Sequence, residues 1–157
     1  VVKEGETFSF GSAKAHIFYI PGHTLGHIAY YFEREKALFS GDTLFSLGCG
    51  KLFEGSPAQM FSSLTQLKCL PDDVQVYCGH EYTLENAKFA AHLFATDPAF
   101  QQNFAAVQTL LKERGTTVPS LLGHEKKWNP FFLAKTVEEF ASFRFQKDDF
   151  QSSGHSV

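Results

Sequence analysis

Cysteine is scarce in this chain, and the other absences narrow the field further. The only three are Cys49, Cys69 and Cys78, with no Cys-x-x-Cys pair. An odd count without such pairs excludes a disulfide framework and fits a reducing, cytoplasmic setting. No apolar run approaches the roughly 20 residues of a membrane span. A net charge of −3 leaves no basic footprint for nucleic acid or for a membrane surface. There is no Gly-x-x-x-x-Gly-Lys-Ser/Thr segment to cradle phosphates, and no His-x-His pair anywhere. No internal repeat or low-complexity stretch occurs. What is abundant is phenylalanine, with 18 residues, so an aromatic core is expected.

Three segments share one plan. Ile17-Phe18-Tyr19-Ile20 runs into Pro21-Gly22-His23-Thr24-Leu25-Gly26-His27; Ala37-Leu38-Phe39 runs into Gly41-Asp42-Thr43; Val74-Gln75-Val76-Tyr77-Cys78 runs into Gly79-His80-Glu81. Each is a short apolar strand that ends in a glycine turn and then a side chain able to bind metal. Ligands set on rigid strand ends can converge, and His with Asp suits a borderline metal such as zinc. Ile28–Phe32 is a continuous apolar run, expected as a strand buried on both faces. Glu33–Lys36 is a charged turn. Leu44–Gly55, with Gly48, Gly50 and Gly55, is expected to be an irregular loop. Cys49 and Cys78, lying within these segments, are expected to be small buried residues near a crowded site.

Helical signals dominate afterwards. Ser56-Pro57-x-Gln59 is a capping box with proline in the first turn, followed by Met60, Leu64, Leu67 and Leu70 at helical spacing. Thr83 is expected to cap a helix running to about Thr96. Asp97-Pro98 opens another, with Phe100, Phe104, Val107 and Leu111 on one face and Gly115 at its end. Residues 116–129, flanked by Pro119 and Pro130, are expected to be extended and irregular. Thr136-Val137-Glu138-Glu139 opens a last helix through Arg144 and Lys147, and the tail after Phe150 is expected to be disordered. The change in pattern sets an expected domain boundary near residue 83, giving segments 1–83 and 84–157.

The segments Pro21-Gly22-His23-Thr24-x-Gly26-His27, Gly41-Asp42-Thr43-Leu44-Phe45, Gly48-Cys49-Gly50-Lys51 and Cys78-Gly79-His80-Glu81-Tyr82-Thr83, in that order and spacing, resemble glyoxalase II (hydroxyacylglutathione hydrolase) of the metallo-β-lactamase superfamily. That family's first metal motif, Thr-His-x-His-x-Asp-His, precedes these segments and is absent here. The resemblance therefore implies the C-terminal part of a longer enzyme. It implies an α+β fold: the C-terminal half of an αββα sandwich, followed by a helical substrate-binding domain. Two divalent metals are implied, zinc first, with iron or manganese acceptable. His23 would bind the first metal, His80 the second, and Asp42 would bridge them, with His27 as an orienting partner. The implied reaction is hydrolysis of S-2-hydroxyacylglutathione, notably S-D-lactoylglutathione, by a hydroxide bridging the metals. This is the second step of methylglyoxal detoxification. Glutathione would be held by Lys51, Tyr82, Arg144 and Lys147, with Phe53 where some members carry a tyrosine.

Without the resemblance, Arg144 and Lys147 would read as a solvated helix face. Two alternatives remain. One is a non-catalytic glutathione-binding fragment, since the first metal motif is absent; the other is an iron-dependent persulfide dioxygenase of the same superfamily. Half a sandwich would expose an apolar sheet face, so self-association of this chain is also expected.

Overall fold

The structure, a computed structural model, describes residues 5–152. Four antiparallel strands come first: β1 (Thr7–Phe10), β2 (Ala13–Tyr19), β3 (Ile28–Phe32) and β4 (Ala37–Gly41). The chain then forms a small ribbon of β5 (Leu44–Phe45) and β6 (Gly48–Cys49) where an irregular loop is expected. Helix α1 (Pro57–Lys68) crosses over and returns the chain as β7 (Gln75–Cys78), parallel to β4. A two-residue strand, β8 (Ser120–Leu121), completes a six-stranded sheet of order β1-β2-β3-β4-β7-β8. Helices α2 (Thr83–Leu93), α3 (Pro98–Arg114), α4 (Leu122–Trp128), α5 (Pro130–Leu133) and α6 (Val137–Ser152) make up the rest.

The helices cover one face of the sheet. Ala29, Tyr31, Leu38 and Val76 meet Met60, Leu64 and Leu67 of α1, and Phe89, Phe131, Phe132 and Phe140 join the same core. The opposite face carries Phe8, Tyr30, Phe39 and Tyr77, which the strand register sets side by side. Their rings touch: Phe8 lies edge-on to Tyr30, and Phe39 stacks on Tyr77 at 5.0 Å. Among the described residues no helix lies over them, and Phe39 remains 44% exposed. This is the half-sandwich arrangement. It also corrects the expectation for β3, whose residues alternate between buried and half-buried: Ala29 and Tyr31 join the core under the helices, while Tyr30 lies on the aromatic face.

Local signals hold where the structure is local. Ser56 caps α1 through a complete capping box with Gln59, and Gly115 ends α3 in the left-handed region at φ 73°. Three expectations fail. Helix α2 begins at Thr83 itself, after Tyr82, and ends at Leu93; the Thr83 hydroxyl donates to Glu81 rather than capping. Residues 122–128 are helical, not extended, because distant groups anchor them: Lys126 donates to the Leu70 carbonyl and to Asp72. At α6 the Glu139 amide donates to Thr136, but the Glu139 carboxylate accepts from Lys135, so the box does not close on Thr136. Of the tail expected to be disordered, residues 151–152 continue α6 and residues 153–157 lie outside the described residues. Among the described residues no helix is long and apolar enough to cross a membrane.

Candidate metal centre and ligand cleft

The loop carrying His23 is fixed by the chain that faces it. The Gly55 amide donates to the Gly22 carbonyl at 3.1 Å, the Phe53 amide to the His23 carbonyl at 3.2 Å, and the Leu25 amide to Glu54 at 2.7 Å. His23 Nδ1 lies 2.8 Å from the Lys51 carbonyl, which can only accept, so Nδ1 carries the proton and Nε2 is left with its lone pair. That Nε2 faces Asp42 Oδ2 at 3.7 Å. His80, delivered by the end of β7, faces the other carboxylate oxygen, Oδ1, at 3.6 Å.

Glycine is required around this carboxylate. Gly41 sits at φ 52°, and a Cβ there would also strike His27. A Cβ on Gly79 would overlap Asp42 Oδ1. His27 stands behind the cluster. Its Nε2 accepts the Asp42 amide at 3.0 Å while Nδ1 lies 3.3 Å from the Thr24 hydroxyl. Burial, then the nearby His23, lowers its pKa, with Asp42 opposing, so the ring stays in the neutral form that can accept.

Asp42 Oδ1 is buried and has no hydrogen-bond partner. A buried carboxylate oxygen without a donor is costly, and a cation is the usual remedy. The donor set, two imidazoles on opposite oxygens of one carboxylate, fits a bridging role between two cations. Among the described residues, His, Cys, Asp and Glu side chains do not converge in groups of three at metal-binding spacing. These three residues therefore amount to a partial ligand set that shares Asp42.

The centre opens into a cleft of about 540 Å³, within the range of small-molecule sites. All the residues expected to bind metal or substrate line it: His23, Asp42, Lys51, Phe53, His80, Tyr82, Arg144 and Lys147. Phe53 is exposed, with its ring 4.9 Å from that of His23, and Tyr82 stacks on His80 at 5.0 Å. At the other end, Arg144 and Lys147 are 4% and 2% exposed, which rules out a solvated helix face. Arg144 Nη1 donates to the Cys49 carbonyl and Nη2 to Asp148, both at 2.9 Å, while its Nε is buried without a partner. Lys147 donates to the Glu85 carbonyl at 2.8 Å. Burial, then the charge of Arg144, pulls the Lys147 ammonium down to about 7. Lys51 is half-exposed at the rim, 3.9 Å from Asp148.

Cys49 is buried beside Arg144, and burial pushes its thiol up to about 11, an inert packing residue as expected. Cys78 is half-buried, and burial raises its thiol as well. Two cleft residues were not legible in the sequence: Phe45, whose ring packs on Tyr82, and Asn86, buried at the base. Phe45 lies in the Gly41-Asp42-Thr43-Leu44-Phe45 segment but with no role attached to it, and Asn86 lies in a helical stretch where nothing marks it. Glu81, next to His80, accepts four hydrogen bonds from Thr83, Thr116 and Thr117. Burial opposes its ionisation, but these bonds prevail and hold its carboxyl at about 2.

Known proteins are similar to this chain in sequence and fold. Residues 1–80 match the family model for the metallo-beta-lactamase superfamily, and residues 81–150 match that for the hydroxyacylglutathione hydrolase C-terminus. A hydroxyacylglutathione hydrolase from Methylococcus capsulatus is 44% identical over 164 residues, covering 96% of this chain and 64% of that protein. One from Bartonella henselae is 47% identical over 163 residues, covering 95% and 64%. The chain thus spans less than two thirds of the length of the curated relatives it matches. Among solved structures, ETHE1 from Myxococcus xanthus superposes with a TM-score of 0.65 at 27% identity, over 92% of this chain and 50% of that one. A metallo-beta-lactamase from Staphylococcus aureus shares the fold, with a TM-score of 0.64 at 22% identity, over 95% and 42%. With two histidines at the carboxylate of Asp42, a cationic cleft lined by the C-terminal helices, and these matches, the chain belongs to the metallo-β-lactamase superfamily, and its residues 81–150 match the C-terminal region of hydroxyacylglutathione hydrolases.

Proposed function

We propose that the complete protein hydrolyses S-2-hydroxyacylglutathione thioesters, S-D-lactoylglutathione foremost, to the 2-hydroxy acid and glutathione in the cytoplasm. The observation carrying this reading is the polarity of the cleft: Asp42 with its two histidines at one end, and buried Arg144 and Lys147 at the other. Glutathione thioesters bear carboxylates away from the reacting carbonyl, so one molecule can span both ends. The partially free guanidinium of Arg144 suits a carboxylate, and Lys147 and Lys51 add positive charge.

His23, Asp42 and His80 would hold part of the ligand set for two divalent cations, zinc first. When bound, such cations polarise a carbonyl and bring the pKa of water toward ~7. This chain's own residues do the positioning. His27 holds the Asp42 backbone through its amide, and the Lys51 carbonyl keeps His23 in the tautomer with Nε2 free. Tyr82 and Phe53 line the cleft. The split into a metal-binding segment to residue 83 and a helical substrate-binding segment after it belongs to the same proposal.

Steady-state hydrolysis of S-D-lactoylglutathione by the complete protein tests the reading, with Arg144→Ala as the diagnostic variant. A rise in KM of roughly 10- to 100-fold with kcat little changed is expected for a lost substrate contact. No turnover by the wild-type protein, with retained glutathione binding, would support a non-catalytic binding fragment instead. Oxygen uptake with glutathione persulfide would support the dioxygenase alternative.

A further inference from the structure

The β5–β6 hairpin is the cleft wall between the Asp42 centre and Arg144. It contributes the Phe45 ring, which packs on Tyr82, and the Cys49 carbonyl, to which Arg144 donates. Its turn is awkward. Leu47 is a non-glycine residue at φ 57°, and both Ser46 and Leu47 are buried, so backbone groups there cannot reach water.

Distant side chains satisfy those groups. The Leu47 amide donates to Glu125 Oε2 at 2.7 Å. Asn129 Nδ2 donates to the Phe45 carbonyl at 3.3 Å, to the Gly48 carbonyl at 3.1 Å and to Glu125 Oε2 at 3.0 Å. Asn86 Nδ2 donates to the Ser46 carbonyl at 3.0 Å. Glu125 and Asn129 are both 0% exposed, and Glu125 Oε1 has no hydrogen-bond partner, with His124 Nδ1 3.9 Å away. A fully buried carboxyl group with one oxygen lacking a hydrogen bond is costly to the fold. Its return is a defined hairpin.

Resting on the thioester reading of the cleft, we propose that Glu125 and Asn129 are positioning residues for the substrate pocket. Together they hold the β5–β6 hairpin in register from α4 and the α4–α5 junction, which sets where Phe45 and the Cys49 carbonyl, and hence Arg144, stand. Neither touches the cleft, and neither is a metal ligand. Releasing the hairpin widens the pocket and frees Arg144 to turn away from a bound carboxylate, while the Asp42 centre keeps its own supports.

The test uses the complete protein with Glu125→Ala, Glu125→Gln and Asn129→Ser. Gln keeps an amide oxygen able to accept from Leu47. Ser keeps an acceptor for the Phe131 amide at the start of α5 but cannot span two carbonyls. Glu125→Ala and Asn129→Ser are expected to raise KM by up to about 100-fold with kcat and metal content near wild type, and Glu125→Gln to recover most of the loss. The second readout needs no activity. In a Cys69→Ser/Cys78→Ser background, Cys49 labelling by a thiol reagent should quicken in Glu125→Ala and Asn129→Ser and stay slow in Glu125→Gln. Unchanged KM and unchanged labelling, with only a lower Tm, would overturn the proposal, as would loss of metal and kcat at constant KM. If Glu125→Ala does not fold, Asn129→Ser decides. If the wild-type protein neither hydrolyses nor binds the thioester, the functional reading fails by itself, and Cys49 labelling alone decides whether the hairpin is held this way.

Discussion

At the residue scale, Lys147 shows how the cleft trades stability for binding. Lys147 is buried and its ammonium is pulled down to about 7 from an ordinary 10.5. Below pH 7 it is charged in both folded and unfolded chains, and the burial penalty is fully present. Between pH 7 and 10.5 the unfolded chain holds the proton more tightly, so stability from this group rises with pH across that window. Lys147→Met should therefore raise Tm at pH 6, with the gain shrinking toward pH 10, while glutathione-thioester affinity falls; scanning calorimetry against pH checks the first and titration calorimetry the second. In the wild type, affinity should strengthen as pH drops through 7, because an anion favours the charged lysine. Gly79 acts through space alone. A Cβ at this position meets Asp42 Oδ1, so Gly79→Ala should weaken metal binding by roughly 10- to 100-fold, as loss of a supporting contact does, read by metal titration.

At the scale of elements, legibility follows the range of the forces. The Ser56-Pro57-x-Gln59 box is local, and it forms as expected. Ser56→Ala should cost about 1 kcal/mol in urea unfolding, since an orphan amide loses its acceptor. Helix α4 was missed because long-range bonds make it, from Lys126 to Leu70 and Asp72 and from Glu125 to Leu47. No window of residues 116–129 contains those partners. The placing of His23, Asp42 and His80 at strand ends was legible because glycine turns after apolar runs are themselves local signals. Arg144 and Lys147 lay on one helix face in the sequence, but their burial depends on α6 packing over β6 and α2, which periodicity does not report. Glu81 was overlooked beside His80, although it ties the end of β7 to residues 116–117. Glu81→Ala should destabilise by roughly 1–3 kcal/mol, as buried donors at Thr83 and Thr117 lose their acceptor.

At the scale of the whole molecule, one sheet face packs under the helices and the other carries a partly exposed aromatic surface. Phe8, Tyr30, Phe39 and Tyr77 form a contiguous aromatic surface with no helix over it among the described residues. Such a patch drives association. The 157-residue chain by itself should self-associate at micromolar concentration, and Phe39→Lys should reduce it; sedimentation velocity measures both. A monodisperse monomer that unfolds cooperatively would mean that the aromatic face is tolerated alone.

The central claim is that Asp42, flanked by His23 and His80, anchors a two-metal thioester hydrolase. Metal content per chain, measured on the complete protein together with S-D-lactoylglutathione hydrolysis on the same sample, tests it most directly. Close to two metal ions per chain with turnover are expected in the wild type, and loss of both in Asp42→Ala. Turnover without bound metal, or unchanged turnover in Asp42→Ala, would contradict it.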